Sequence, residues 1–250
     1  EVMFRILMLT SFVLSSLSSF AAENPGSGYN ALDFRSCSFI NGKDMEDLRK
    51  LDTEYVDWAS KNYPVFLSYI MTKHATNQND WDLDFIWLNI FENHEALGSA
   101  NNARFHSGSE IERKFNKLIE CNSYFTATSI HIKPSLALGS DGIFSINSCT
   151  MKDGVTYDDL ITADSKWVSH REAVGMEDAM YRWIPDAGWS RDTKADFLNV
   201  YVATDLMMRG RSIDLLWSGS AAVWQSIYGG IHSCDQGRIW RANYVGRKSS

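Results

Sequence analysis

The sequence predicts an α+β fold in which a β-α-β-β-α-β unit occurs twice in tandem. The first observation is a pair of similar segments, CSFINGKDMEDL at 37–48 and CTMKDGVTYDDL at 149–160. Each begins with Cys, places Gly five residues later and ends in Asp-Leu. The second is the cysteine spacing, since Cys121 follows Cys37 by 84 residues and Cys234 follows Cys149 by 85. We therefore expect the same unit twice.

Other positions agree at the same offset. The matched pairs are Gly42 and Gly154, Asp47 and Asp159, Leu48 and Leu160, Gly98 and Gly210, and, after a short slip, Trp58 and Trp167. Segments 83–91 (LDFIWLNIF) and 195–203 (ADFLNVYVA) share Asp-Phe at the same place. Because the matches are collinear, we predict two diverged copies over 31–134 and 141–248. The joint at 133–142, KPSLALGSDG, has the Pro, Gly and Ser content of a linker.

In copy one, a predicted strand at 32–40 is followed by a predicted helix over 44–58, where apolar residues recur at helical spacing. Segments 64–72 and 83–93 are rich in β-branched and aromatic residues, which predicts strands two and three. The pattern S-x-x-E from Ser109 predicts the start of a second helix ending near Cys121. The fourth strand is predicted at 124–132.

Copy two repeats this order. It has predicted strands at 142–151, 179–185, 195–204 and 237–245, and predicted helices at 156–173 and 212–230. Strand three of copy one is apolar on both faces, with Ile86, Leu88 and Ile90 alternating with Phe85, Trp87, Asn89 and Phe91. A strand of this kind is buried on both sides. We therefore predict helices on one face of each sheet and the two sheets packed face to face.

The composition is that of a globular protein with an acidic balance. The chain has 250 residues, of which 44% are hydrophobic, 13% are aromatic and 22% are charged. A formal net charge of −7 argues against a nucleic-acid partner, since phosphates require a basic surface. No basic amphipathic stretch suits an anionic membrane. The many aromatic side chains are typical of large buried faces or a lined pocket.

Residues 1–22 are predicted to be a secretory signal peptide. Met3-Phe4-Arg5 gives a short positive start, 6–20 is apolar to small, and Ala21-Ala22 provides a small-residue cleavage site. The alternative is a membrane anchor, although the segment is short for a spanning helix. After cleavage we expect no contact with the membrane and a secreted or periplasmic location. In an exported chain an even number of cysteines indicates disulfides, and equal spacing favours Cys37–Cys121 and Cys149–Cys234.

The predicted unit resembles the ferredoxin-like unit, and its duplication resembles the fused two-copy form of the dimeric α+β-barrel superfamily. The resemblance covers about residues 31–248 and rests on element order rather than on a signature motif. It implies a pseudo-dimeric α+β barrel, hence a monomer with an internal pseudo-dimer. Members include cofactor-independent monooxygenases, isomerases and lyases, haem enzymes and small binding proteins, so the fold alone does not select a function.

If the two sheets face each other, the space between them is the expected ligand site. We expect the aromatic face of strand three to line it, opposite Phe197, Asn199, Tyr201 and Ala203. The predicted ligand-binding residues are Trp87, Asn89, Phe91, Asn199, Tyr201 and Arg238. An inward Arg238 would hold a carboxylate or phosphate, whereas an arginine at a sheet edge would be solvated. The asparagines and Tyr201 would otherwise bond one another inside a core.

His131, in predicted strand four, is the candidate general acid/base, with Tyr201 as its catalytic partner. The alternative for His131 is a hydrogen-bonded or exposed strand histidine. The cluster E-N-H-E at 92–95 matches no metal-ligand spacing, and no motif for a cofactor is present, so neither a metal nor a cofactor is predicted.

Three hypotheses for the function follow. The first is non-covalent binding of a small organic molecule in an aromatic pocket between the copies. The second is a cofactor-independent enzyme of monooxygenase, isomerase or lyase type that uses a His/Tyr acid–base pair. The third is a structural or partner-binding module.

Overall fold

The computed structural model describes residues 28–247, apart from 64–65, 77–81, 135–138 and 191. The predicted signal peptide and part of the predicted joint lie outside the described residues. We call residues 28–134 half one and residues 139–247 half two. In the described part of the chain, every helix is too short or too polar to cross a bilayer.

Each half alternates strands and helices in the predicted order. The elements of half one are β1 (Tyr29–Phe39), α1 (Met45–Arg49), α2 (Asp52–Asn62), β2 (Phe66–Ala75), β3 (Phe85–Phe91), α3 (His94–Ser107), α4 (Ser109–Phe115) and β4 (Ile119–Lys133). Those of half two are β5 (Gly142–Met151), α5 (Tyr157–Val174), β6 (Ala179–Pro185), β7 (Phe197–Ala203), α6 (Leu206–Leu215), a π-helical turn (Leu216–Ser220), α7 (Ala221–Tyr228), β8 (His232–Cys234) and β9 (Arg238–Arg247).

The strands form one closed antiparallel barrel. Half one has the strand order β4-β1-β3-β2, and half two has the corresponding order β9-β5-β7-β6. The edge strands of the halves also pair, since β4 pairs with β6 and β2 pairs with β9. Eight strands therefore close on themselves, and the short β8 adds to the end of β5. The sequence analysis predicts two sheets that face each other. In the structure the edges of these sheets are also hydrogen-bonded to each other, so that the two sheets form one closed barrel.

The barrel interior is filled by side chains from both halves. Leu88 and Ile90 of β3, Phe34 of β1, Trp183 of β6 and Val200 of β7 belong to this cluster. A second cluster lies between the strands of half one and helices α1–α4, and a third between the strands of half two and helices α5–α7. The inner layer is thus shared by both halves. Each outer layer consists mainly of residues from one half, although Ile132 of β4 also packs in the third cluster.

The prediction that the aromatic face of strand three points between the two sheets was wrong. Phe85, Trp87 and Phe91 pack in the helical layer of half one, and Ile86, Leu88 and Ile90 face the barrel interior. In half two, Phe197 and Tyr201 likewise pack on the helical side, while Leu198, Val200 and Val202 face inward. The helical layer takes the aromatic face because α2 and α4 supply rings that meet Trp87 edge-on, with centroids 5.1 Å (Tyr55) and 4.9 Å (Phe115) away.

Both predicted disulfides are present. Cys37 pairs with Cys121 across β1 and β4, and Cys149 pairs with Cys234 across β5 and β8. Each bond joins the end of a first strand to the start of a fourth-strand segment. Each closes a long loop of its own half, which in the chain-entropy model stabilises the fold by about 4–5 kcal/mol.

Candidate functional site

Three of the cavities in the described part of the chain contain predicted ligand-binding residues. One of about 430 Å³ lies at one end of the barrel between the halves, and we call it the barrel-mouth pocket. The other two lie between sheet and helices, one in half one (about 160 Å³) and one in half two (about 260 Å³). We call them the half-one cavity and the half-two cavity.

The barrel-mouth pocket is lined by aromatic and aliphatic side chains from both halves. Trp183, Trp240 and Phe34 come from barrel strands, and Trp189 comes from the loop between β6 and β7. The ring of Phe34 lies 5.0 Å from Trp183 and 5.1 Å from Phe125. The remaining lining residues are Ile86, Ser123, Ile146, Ser148, Gly188, Ser190, Thr193, Ala195, Leu198 and Arg238. The pocket is therefore mostly apolar, with hydroxyl groups and one guanidinium among its lining.

The loop between β6 and β7 is held over the barrel end by Thr126 of β4. The backbone of Thr126 exchanges hydrogen bonds with Asp186 and Ala187, at 3.0 and 2.9 Å. The indole nitrogen of Trp189 donates to the Thr126 carbonyl at 2.6 Å, which sets its ring 4.7 Å from Phe125. Between Ala187 and Trp189 the chain requires glycine, because the φ of Gly188 is +80° and a Cβ there would lie 2.3 Å from the Tyr124 carbonyl oxygen.

Arg238, which the sequence analysis predicts to bind a ligand, lies in the wall of this pocket. Its Nη1 donates to Asp235 at 2.6 Å and to the Gln236 carbonyl at 3.4 Å. Asp235 also accepts from the Ser148 backbone at 2.8 Å. The arginine is therefore held in place by its own carboxylate, and an anionic ligand would have to share it with Asp235.

The half-one cavity contains two of the predicted ligand residues, Trp87 and Asn89. The amide oxygen of Asn89 accepts from Ser68 at 2.8 Å and from the Tyr55 hydroxyl at 3.4 Å, and its amide nitrogen donates to Asp33 at 2.7 Å. The Trp87 indole donates to Ser68 at 2.7 Å. Burial raises the pKa of Asp33. Asn89 thus serves a buried hydrogen-bond network, the alternative considered for it from the sequence.

Two arginines also line the half-one cavity. Arg104 forms an ion pair with Glu112, and the guanidinium of Arg35 lies 5.0 Å above the Tyr124 ring. Burial, together with the charge of Arg35, lowers the pKa of Arg104 to about 10, so this side chain stays protonated at neutral pH. Because Glu112 is itself a lining residue, this cavity contains its own anion.

The half-two cavity contains Asn199 and Tyr201. Arg171 and Arg209 place their guanidinium carbons 5.3 and 5.1 Å from the Tyr201 ring centre. Both arginines pair with Asp178, which is fully buried. Burial raises the pKa of Tyr201, so its phenol is neutral at physiological pH.

A second ionic network lies beside this cavity. Arg182 forms a bidentate pair with Asp164, which also accepts from the Tyr228 hydroxyl at 2.7 Å. Asn199 accepts from Arg182 at 3.3 Å and donates weakly to the Cys234 sulfur at 3.8 Å. Such pairs hold the helices on the sheet, and removing one partner would leave an uncompensated buried charge.

The structure does not bring His131 and Tyr201 together. His131 hydrogen-bonds Asn30 at 2.6 Å and meets the ring of Tyr181, a barrel-interior residue, edge-on at 5.5 Å. Tyr201 packs on the other side of the barrel wall, with the helices of half two. A strand His and a strand Tyr on opposite faces of one sheet cannot exchange a proton directly, so the predicted acid–base pair is not formed.

The six predicted ligand residues are therefore distributed over three places. Trp87 and Asn89 lie in the half-one cavity, Asn199 and Tyr201 in the half-two cavity, and Arg238 in the barrel-mouth pocket. Phe91 packs in the helical core, with its ring 6.1 Å from Tyr63. The sequence analysis missed the aromatic residues of the barrel-mouth pocket. Their signal was the abundance of tryptophan, but no sequence spacing connects aromatic residues from four different strands and a loop.

Solved structures share this fold. A provisionally assigned monooxygenase from Fusobacterium nucleatum has a TM-score of 0.53 at 10% identity, covering 89% of this chain and 95% of that chain. A heme-binding protein from Thermus thermophilus has a TM-score of 0.50 at 8% identity, with 85% and 90% covered. A chlorite dismutase variant from Candidatus Nitrospira defluvii has a TM-score of 0.51 at 8% identity, with 86% and 91% covered.

The sequence matches neither a protein-family model nor a curated protein. At identities of 8–10% the structural likeness concerns the fold alone. The chain shares the fold of these solved structures, and its eight barrel strands are supplied by one polypeptide.

Proposed function

We propose that this protein binds a small, mostly apolar organic molecule in the barrel-mouth pocket. The observation that carries the proposal is the pocket itself: about 430 Å³, with three Trp and two Phe rings and a few hydroxyl groups among its lining. Ligand sites are commonly apolar cavities of roughly 300–1,000 Å³ with few polar groups. A flat ligand of one or two rings fits this volume and would stack on the indoles.

We further infer that the halves are diverged tandem copies, as the sequence analysis predicts for residues 31–134 and 141–248. Equivalent contacts support this. The backbone N–H of Asp84 donates to the Cys37 carbonyl at 2.9 Å, and that of Asp196 donates to Cys149 at 2.9 Å. The Asp84 side chain accepts from the Phe39 backbone at 2.7 Å, and the Asp196 side chain accepts from the Met151 backbone at 2.7 Å.

We also propose that the protein works outside the cytoplasm, secreted or periplasmic, after removal of residues 1–22. The two disulfides support this, because such bonds persist in oxidising compartments. We propose a small molecule as its ligand, and neither a membrane nor a nucleic acid as its partner.

The heme-binding neighbour raises the question whether this chain could hold the same group. A haem requires an axial ligand such as His, thiolate, Met or Tyr. The described lining of the barrel-mouth pocket has no His, Cys, Met or Tyr. The other two cavities have no lining histidine, and both of their lining cysteines are in disulfides. Tyr55, Tyr63 and Met176 are buried in the walls of these smaller cavities, which hold about 160 and 260 Å³. The ring of Tyr201 lies between two guanidinium groups, and the half-two cavity of about 260 Å³ is bounded by ionic networks. These residues do not fit a haem.

The proposal is tested by calorimetric titration of the disulfide-bonded protein with neutral aromatic probes: 2-naphthol, indole and coumarin. We expect at least one to bind with micromolar affinity. Trp189→Ala should weaken binding at least ten-fold because it removes a stacking ring, and Ala195→Phe should abolish binding by filling the pocket. Trp217→Ala is the matched control, since Trp217 is 75% exposed and outside the pocket lining. Absence of saturable binding below 1 mM, or equal binding by Ala195→Phe, would overturn the proposal.

A further inference from the structure

We propose that the half-two cavity is a second site, which binds a small organic carboxylate independently of the barrel-mouth pocket. The inference starts from a surplus of hydrogen-bond donors. Trp167 and Arg171 are each only 2% exposed and line this cavity, yet the indole N–H of Trp167 and the Nε–H of Arg171 are buried without an acceptor. The Nε–H of Arg209, a third lining residue, is also without one.

The acceptors near these donors are already used. One oxygen of Asp178 accepts from Arg171 and from Ser212, the latter at 2.6 Å, and its other oxygen accepts from Arg209 at 3.2 Å. A buried donor without an acceptor costs free energy. A ligand whose oxygens accept from these donors would remove that cost, and its binding would be correspondingly tighter.

The charges favour an anion. Arg171 and Arg209 share one carboxylate, that of Asp178, so this cluster of three has a net positive charge. The one acidic residue in the cavity lining, Asp235, is paired with Arg238. A carboxylate has two oxygens that match a guanidinium fork, and it would balance the second arginine.

The remaining lining residues indicate what the part of the ligand beyond its carboxylate is like. Trp167, Trp224, Leu216 and Ile213 supply apolar surface, and the phenol of Tyr201 supplies a neutral polar group. Leu216 begins the π-helical turn between α6 and α7, a local irregularity of the kind that often accompanies a binding site. With about 260 Å³ of space, the chemistry points to an aryl or short-chain carboxylic acid of one ring.

The half-one cavity differs from the half-two cavity in its charge. It also has buried donors without an acceptor, the Nε–H of Arg35 and the indole N–H of Trp58. Its lining, however, includes the carboxylate of Glu112, which pairs with Arg104. Half two has no lining carboxylate of its own for Arg209, whose partner Asp178 is shared with Arg171. The half-one cavity is thus an internal control in the same chain.

The test compares acids with neutral amides of the same shape: benzoate with benzamide, and phenylacetate with phenylacetamide, titrated calorimetrically into the full mature protein with both disulfides intact. We expect at least one acid to bind ten-fold or more tightly than its amide. Arg209→Gln should abolish this preference, and Arg209→Lys should retain part of it. Trp167→Phe, which keeps an aromatic ring but removes the N–H and the second ring of the indole, should weaken the acid at least five-fold. The control Arg104→Gln should bind like the wild type.

Three results would overturn the inference: no acid binds at 10 mM, acids and amides bind equally, or Arg209→Gln keeps the preference while its circular dichroism matches the wild type. If Arg209→Gln does not fold, the test rests on Arg209→Lys, in which the preference for the acid should be smaller than in the wild type. The two sites are separated by Ala195→Phe, which should leave acid binding unchanged, and by the neutral aromatic probe that binds most tightly, whose binding should not respond to Trp167→Phe. Loss of acid binding in Ala195→Phe would place the acid in the barrel-mouth pocket and overturn the inference.

Discussion

His232 shows how a single side chain can make the stability of this fold depend on pH. It is 3% exposed in β8, its Nδ1 lies 3.3 Å from the Cys234 sulfur, and its Nε2 is buried without a partner. Burial, followed by the charges of Arg182 and Lys152, lowers the pKa of His232 to about 4. The folded state therefore holds this imidazole neutral where an unfolded chain would protonate it.

The sign of the effect follows from proton binding. Between pH 6.5 and 4 the unfolded chain binds a proton at His232 that the folded chain does not, so the stability present above pH 6.5 is lost as the pH falls. We expect the free energy of unfolding, measured in urea, to rise between pH 4.5 and 7 by about 2 kcal/mol more in the wild type than in His232→Gln. The exposed His106 supplies the control His106→Gln, which should keep the wild-type slope; identical slopes in all three proteins would contradict the assignment.

At this scale the sequence predicts which residues are buried better than it predicts what they face. The alternation in β3 is visible directly, but both of its faces are apolar. Nothing in Phe85 or Ile86 says which face meets helices and which meets the opposite wall of the barrel. Which face meets the helices depends on aromatic rings from α2 and α4, which are distant in sequence. Asn89 lies on that face and therefore joins a buried hydrogen-bond network.

Among the elements, the loop between β6 and β7 has the most direct link to the proposed function. It carries Trp189 into the barrel-mouth pocket and is fixed to β4 through Thr126. The loop has no regular pattern, so the sequence did not identify it as part of a site. Two other elements have no counterpart in the sequence analysis: α3, and β8, which has only three residues.

Gly188→Ala tests the role of this loop. The substitution requires a residue with Cβ at φ +80° and brings that Cβ to 2.3 Å from the Tyr124 carbonyl, so the loop must lift from β4. We expect a loss of about 2–3 kcal/mol in the free energy of unfolding, measured in urea, and at least ten-fold weaker binding of the neutral aromatic probe.

Gly154→Ala is the matched control, because its φ is +78° with nothing within 4 Å of the added Cβ. It should show only the backbone cost, about 1 kcal/mol, and unchanged binding. If both variants bind the probe as the wild type does, the loop does not form the wall of the site.

For the whole molecule, the closed barrel explains how two halves enclose a pocket. The order of elements and both disulfides could be predicted because each unit contains its own pairings, as β1 with β4 and β5 with β8 show. The seams between β4 and β6 and between β2 and β9 could not, because they join segments with no common pattern. These seams create a shared interior, and the barrel-mouth pocket lies at its end.

The central claim is that this shared interior binds a small apolar molecule. The most direct test is a two-dimensional NMR titration of the indole N–H signals of the nine tryptophans with whichever neutral probe binds most tightly. The account predicts saturable shifts at Trp183, Trp189 and Trp240, which line the barrel-mouth pocket, and unchanged signals at Trp58 and Trp217. Saturable shifts confined to tryptophans outside the pocket, or no saturable shift at all, would contradict it.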